Sequence, residues 1–246
     1  MKSRLPIWSL QARKMSTTTL REQKDSLRKR IRDELKQLSP REIERQSTVV
    51  TNHVLQTPAY HDAKAIAIFL SMPGKEISTR DIVLHSLDNG KAVFVPYLHP
   101  GTDSKSRVMD MLQLQDKHDF ETLKPDSWGI PSLSKDSEGV RRNALGGFGI
   151  SSIRDQKEPP VLDLIFVPAV AFDQSHRRLG HGKGFYDRYL EKYKNALDSS
   201  QATQQMPYLV GLALAQQNLP GKEEIPVDQS DWLIDEVITA GKTDVV

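Results

Sequence analysis

Cysteine is absent from the 246 residues. Its absence removes disulfides, thiolate nucleophiles and cysteine-ligated zinc or iron–sulfur centres, and it fits a reducing compartment. No apolar run approaches the roughly 20 residues that a bilayer-crossing helix needs, so a soluble protein with no membrane partner is expected. An excess of one charge is also missing. The 34 Lys and Arg against 32 Asp and Glu leave a net charge of +2, which argues against a surface that coats nucleic acid. Hydrophobic residues make up only 37% of the chain and the mean hydropathy is -0.51. Part of the length must therefore be loop or tail around one α/β core.

What is present begins with a basic start. MKSRLPIWSLQARKMSTTTLR carries Lys2, Arg4, Arg13, Lys14 and Arg21 and no acid before Glu22. This suits a mitochondrial targeting segment or a plain disordered tail. Initiation at Met15 would leave a cytosolic form, so the expected compartment is cytoplasmic or mitochondrial. We read residues 1–20 as this tail and 21–246 as a single domain with a loop insertion near 132–160.

In KDSLRKRIRDELKQL, Leu27, Ile31, Leu35 and Leu38 recur at helical spacing among basic residues, which predicts a basic amphipathic helix. Ser39, Pro40 and Glu42 start a second helix that should end near Gln56, before Thr57-Pro58. The run from Ala63 reads as a strand, ISTRDIVLHSLDNG as a helix closed by Asn89-Gly90, and KAVFVPYL as a strand stopped by Pro96. VLDLIFVPAVAF, GFYDRYLEKYKNAL, PYLVGLAL and WLIDEVIT repeat the alternation as strand, helix, strand, strand. Together they predict an α/β three-layer sandwich with a mainly parallel central sheet. The glycines of Gly146-Gly147-Phe148-Gly149 open no helix, so they read as a source of flexibility.

The densest chemistry lies in Arg178-Leu179-Gly180-His181-Gly182-Lys183-Gly184, just before a helix. Glycines allow backbone N–H groups to turn inward, a helix N-terminus adds partial positive charge, and Lys183 with Arg178 would neutralise an anion. The spacing is neither a Walker A loop nor a dinucleotide fingerprint. On spacing alone, a phosphate site and a structural tight turn are equally open. Asp187, one turn into the helix, suits either a Mg²⁺ ligand or a first-turn acid with an ion-pair partner. As a first-turn acid it would contribute at most about 1 kcal/mol to stability.

RLGHGKGFYDRYL, together with IFLSMPGKEISTRDI, GKAVFVPY, DSWGIP, DLIFVPAVAFD and IPVDQSDWLIDEVIT, resembles the 5-formyltetrahydrofolate cyclo-ligase family, in order from Lys24 to Thr239. It departs from the common pattern at His181, where Arg is frequent, and in the long segment from Ser132 to Pro160. The resemblance implies the fold shared by sugar-phosphate isomerases and CoA transferases. It also implies an ATP- and Mg²⁺-dependent ligase that converts 5-formyltetrahydrofolate to 5,10-methenyltetrahydrofolate through a phosphorylated formyl group, with ADP and phosphate as further products.

Carried to this chain, the resemblance assigns Lys24, Asp25, Ser26, Leu27 and Arg28, with Arg178, Leu179, Gly180, His181, Gly182, Lys183, Gly184, Phe185 and Tyr186, to ATP. It assigns Leu70, Glu76 and residues 181–185 to the folate, and Asp187 and Asp231 to Mg²⁺. Lys183 and Arg178 would offset phosphoryl charge in catalysis, while Trp128 would pack on the folate or simply fill a turn. Without the resemblance, a small-molecule kinase using the same loop, or a non-catalytic folate- or nucleotide-binding protein, is the alternative. A monomer is expected.

Overall fold

Apolar residues alternate by size along the strands, and that alternation builds the layers. In a computed structural model, which describes residues 19–101, 106–150, 160–200 and 205–241, β1 (Ala65–Ile68) turns Ile66 and Ile68 to one face and Ala65 and Ala67 to the other. The isoleucine face packs on α2 (Pro40–Gln56), α3 (Pro58–Asp62) and α4 (Arg80–Asp88), through Ile43, Val50, Tyr60 and Ile82. The alanine face receives the bulky Tyr189, Leu190 and Tyr193 of α6 (Phe185–Ser200). Small residues on the strand thus make room for large ones on the helix, and strands buried on both sides need no polar face.

The sheet has the order β10-β9-β6-β1-β2-β3, formed by β2 (Ala92–Pro100), β3 (Arg107–Gln113), β6 (Leu164–Val167), β9 (Tyr208–Ala213) and β10 (Glu236–Thr239) beside β1. All pairings in this sheet are parallel except that of β2 with β3; after β3 come the short helix α5 (Lys117–Glu121) and a separate antiparallel pair, β4 (Lys124–Pro125) with β5 (Pro131–Ser132). The chain leaves β1 for β2 on one side and returns as β6 on the other. The strand order therefore reverses between β1 and β6, and a crevice opens there beyond the strand C-termini.

Helix boundaries follow their caps. Ser39 accepts the Glu42 N–H at 3.2 Å, and α2 spans the predicted length. The first helix, α1 (Leu20–Leu35), begins earlier than its leucine pattern, because Thr19 and Glu22 form a reciprocal capping box. It buries Leu27 and Ile31 against Leu179, Leu219 and Ile225, apart from the two main cores.

Three expectations need correction. Pro96 does not stop β2, which continues to Pro100 because β3 pairs with it from Arg107 to Gln113; β3 has no clear signature in the sequence. VLDLIFVPAVAF is not one strand. It breaks at Pro168 into β6 and a short β7 (Ala171–Phe172), which pairs with β8 (Arg178–Leu179) in a separate ribbon. Gly146, Gly147 and Gly149 adopt positive φ in a tight turn fixed by an Arg142 to Phe148 bridge and by Asn143 Nδ2 donating to Gly149 O at 2.8 Å; they serve geometry rather than flexibility. Residues 1–18 of the tail lie outside the described residues, as do 151–159 of the insertion. No described helix is long and apolar enough to cross a membrane.

Candidate functional site

The glycine-rich loop is delivered by a turn that Asp173 organises. Its buried carboxylate accepts N–H groups from Ser175 at 2.9 Å, Arg177 at 3.0 Å and Ile225 at 2.8 Å. The β7–β8 ribbon then leads into residues 180–184, with Gly182 and Gly184 at φ of 93° and 63°. The Gly184 carbonyl accepts the Arg188 N–H at 3.1 Å, so helix α6 opens directly out of the loop. The N–H groups of a first helical turn have no partners within their helix and carry partial positive charge.

Helix α1 is fastened to this loop. Arg28 Nε donates to Gly180 O at 2.9 Å and its Nη1 to Asp25 at 2.7 Å. The guanidinium carbon lies 3.4 Å from where a Cβ on residue 182 would stand, an ordinary contact distance, so it is the positive φ that calls for Gly182. Leu27 and Leu179 turn their side chains into the α1 core, and Ser26 is exposed on the outer side of α1. Of the assigned residues on α1, it is therefore Lys24 and Arg28 whose charges reach the loop region.

Two acid–base pairs stand side by side at the helix start. Arg178, almost wholly buried, is hydrogen-bonded to Asp187. Lys24 Nζ meets Asp231 Oδ2 at 2.6 Å. The Trp232 N–H lies 3.4 Å from Asp187 Oδ1, which brings the backbone following Asp231 to Asp187 although 44 positions separate the two aspartates in the chain. Among the described residues no cluster of three or more metal-ligating side chains occurs. Two neighbouring carboxylates without a full protein cage suit Mg²⁺, which keeps waters and takes phosphate oxygens alongside one or two carboxylates. Arg178 Nε and the Tyr186 hydroxyl are buried without hydrogen-bond partners, an arrangement that proteins rarely leave unused.

Of these groups, Arg178, Tyr186 and Asp187 line a cleft of about 560 Å³ at the C-terminal ends of β1 and β6. Its lining includes Arg178, Gly180, His181, Lys183, Gly184 and Phe185 from the loop side, with Tyr186 and Asp187 beyond them. Leu70, Met72 and Glu76 form the wall after β1. Glu76 Oε1 accepts the Met72 N–H at 2.6 Å, and burial pushes its carboxyl up to about 7 despite that bond. Tyr186 is held well above the ordinary phenol value by burial and then by the nearby Glu76, with Arg178 opposing. Burial, and then Arg32 and Arg28, hold the His181 imidazole below its usual value. At neutral pH it is an uncharged donor or acceptor.

Trp128 does not line the cleft. In the DSWGIP turn, Asp126 Oδ1 accepts the N–H groups of Trp128 at 2.8 Å and Ile130 at 3.0 Å. The turn presents Asp126 and Ile130 to the cleft and leaves Trp128 65% exposed, with Lys75 Nζ 6.0 Å from its ring. Reading the sequence also missed the opposite wall, where Tyr97, Leu98, Arg107, Met109 and Lys135 border the same space. The alternation of Arg107 and Met109 was the available signal, but it has meaning only once β3 is known to be a strand.

Residues 20–240 match the model of the 5-formyltetrahydrofolate cyclo-ligase family. A mouse 5-formyltetrahydrofolate cyclo-ligase is 35% identical over 91% of this chain and 97% of its own. A probable 5-formyltetrahydrofolate cyclo-ligase of Schizosaccharomyces pombe is 32% identical over 89% of this chain and 96% of its own. The solved structure of an Aquifex aeolicus 5,10-methenyltetrahydrofolate synthetase shares the fold, with a TM-score of 0.60 and 24% identity over 88% of this chain and 89% of that one. A match that spans almost every described element, at this identity and over nearly the full length of the relatives, places the chain in the 5-formyltetrahydrofolate cyclo-ligase family of enzymes.

Proposed function

We propose that the protein converts 5-formyltetrahydrofolate and ATP into 5,10-methenyltetrahydrofolate, ADP and phosphate in the cleft beyond β1 and β6. A formamide oxygen is a poor leaving group. Transfer of the terminal phosphoryl group to that oxygen breaks the bond to ADP and makes the oxygen able to leave as phosphate. The N10 nitrogen then attacks the activated carbon, loses its proton, and the C–O bond breaks to leave the methenyl ring. Such chemistry asks for positioning and charge neutralisation rather than a protein nucleophile.

The chain has groups suited to each task. Lys183 lines the cleft with no ion-pair partner among the described residues, and it can meet phosphate charge directly. Arg178 and Lys24, now paired with Asp187 and Asp231, supply two further cations. Mg²⁺ held by those aspartates would neutralise phosphate charge. Glu76 in its ionised form can accept hydrogen bonds from the amino and ring N–H donors of a pterin. Leu70 and Phe185 give the ring apolar contact.

One observation carries the reading: a glycine-rich cationic loop, Asp187 at the helix start and Glu76, an acid in apolar surroundings, border the same cleft. The test is to incubate purified protein with 5-formyltetrahydrofolate, ATP and Mg²⁺. Near-ultraviolet methenyl absorbance should rise with one ADP per product. Lys183→Ala should lower kcat/KM for ATP tenfold or more, equivalent to about 1.4 kcal/mol, with ATP KM affected as well as kcat. A stable phosphorylated product without methenyl absorbance would instead mark a kinase.

A further inference from the structure

The cleft's positive charge lies in two places. One group, Arg178 and Lys183 of the loop, sits beside Asp187. The other consists of Arg107, the first residue of β3, and Lys135, the first residue of the 3-10 turn after the short strand Pro131–Ser132. We propose that Arg107 and Lys135 bind the glutamyl carboxylates of the folate and so act as specificity-determining residues for the far end of the substrate. This rests on the cyclo-ligase reading above and deepens it.

The β2–β3 hairpin supplies the geometry. Strand β1 pairs with β2 only at Ala92–Phe94, whereas β3 continues to pair with β2 as far as Pro100, opposite Arg107. From the Pro96–Met111 pair to the Pro100–Arg107 pair is four residues, or about 13 Å at the rise of a strand. The hairpin therefore carries one cleft wall well beyond the parallel sheet. Alternate residues of a strand share a face, and on this strand Met109 and then Arg107 line the cleft, with Leu98 opposite Met109. Along the hairpin the wall changes from apolar to cationic.

The two cations are also available. Both are exposed, and neither has a carboxylate within 4 Å among the described residues. Of the acids on this side of the cleft, Asp126 holds its own turn, Glu138 accepts from the Tyr97 hydroxyl, and Asp136 is near enough to Tyr97 to help raise its phenol. A reduced folate presents a donor-rich pterin, then an apolar arene, then a dicarboxylate. The cleft offers Glu76 for the first, Leu98, Met109 and Ile130 for the second, and Arg107 with Lys135 for the third. Arg can grip a carboxylate through two parallel N–H bonds, and Lys adds a point charge. ATP phosphates bring the same sign of charge, so the test has to separate the two ligands.

The experiment compares 5-formyltetrahydrofolate with 5-formyltetrahydropteroate, which keeps the pterin and arene but ends in a single benzoate carboxylate instead of the glutamyl dicarboxylate. Wild type should prefer the glutamyl substrate in kcat/KM by tenfold or more, mainly through KM, and 0.5 M NaCl should reduce that preference because exposed charges are screened. Arg107→Ala and Lys135→Ala should each reduce the preference severalfold, and the double variant should abolish it. Lys194→Ala, which removes a cation from the outer side of α6, serves as the charge control and should retain the preference. Thermal melts verify that the variants fold. If wild type turns over both substrates and the double variant keeps the full preference, or if it raises ATP KM instead, the carboxylate subsite is refuted while the cyclo-ligase reading stands. If wild type turns over neither, that reading fails and this inference with it.

Discussion

Glu76 shows how one residue links site chemistry to stability. An ordinary glutamate ionises near 4.5 in the unfolded chain, whereas burial in the cleft wall moves this one to about 7. The folded state therefore holds the proton more tightly. This contribution to stability is present at low pH, declines as pH rises from about 4.5 to 7, and is gone above that. The span corresponds to about 3 kcal/mol. Glu76→Gln should remove that slope and raise Tm at pH 8 by several degrees relative to wild type, while weakening folate binding; melts at pH 5 and pH 8 test it. The paired aspartates should behave differently from each other. Asp231→Asn and Asp187→Asn should both raise the Mg²⁺ concentration needed for turnover. Asp187→Asn should also lower stability by about 1–3 kcal/mol, because its partner Arg178 has a side chain only 4% exposed and loses a charge-assisted bond. The sequence-based figure of at most about 1 kcal/mol for a first-turn acid is too small, since it takes no account of the buried guanidinium.

Among the elements, the segment at 133–150 has little regular structure yet is closely tied to the sheet edge. Arg141, with its side chain 4% exposed, donates to both Asp119 oxygens at 2.6 and 2.7 Å and to Gln113 O at 3.0 Å. The Asn143–Leu112 bridge adds a backbone link. Burial would raise the Asp119 carboxyl, but its bonds from Arg141 and the Gln115 N–H outweigh that and hold it below the usual range. Asp119→Ala leaves a buried cation without its partner and should cost about 3–5 kcal/mol in urea denaturation. Asp119→Leu combined with Arg141→Met should recover much of that loss. A segment that merely looped through solvent would show neither effect.

For the whole molecule, the cleft is assembled from the loop before α6, the wall after β1 and the projecting β2–β3 hairpin, with α1 clasping the loop from outside. Ligands that span it should therefore stabilise the whole fold. With ATP and Mg²⁺ at about 100 times Kd, unfolding should require about 2.7 kcal/mol more, read as a rise in Tm. We expect a monomer, which sedimentation equilibrium would test.

Residue order was sufficient to locate the helices with strong caps, the parallel strand runs and the glycine-lysine loop. Each of these is written in local periodicity or in residues whose backbone freedom and charge act over a few positions. Thus Ser39, Pro40 and Glu42 delimit α2 without any knowledge of the rest of the chain. Only the tertiary structure decided what meets across long separations. Pro96 has the look of a strand breaker until β3 pairs beside it, and Arg107 is one of many arginines until that pairing turns it to the cleft. Lys24 finds Asp231, Arg28 finds Gly180, and Asp187 comes beside residue 232 because the sheet order and α1 packing bring them together. Those contacts depend on burial and register summed over the whole core, and no short stretch of sequence contains that sum.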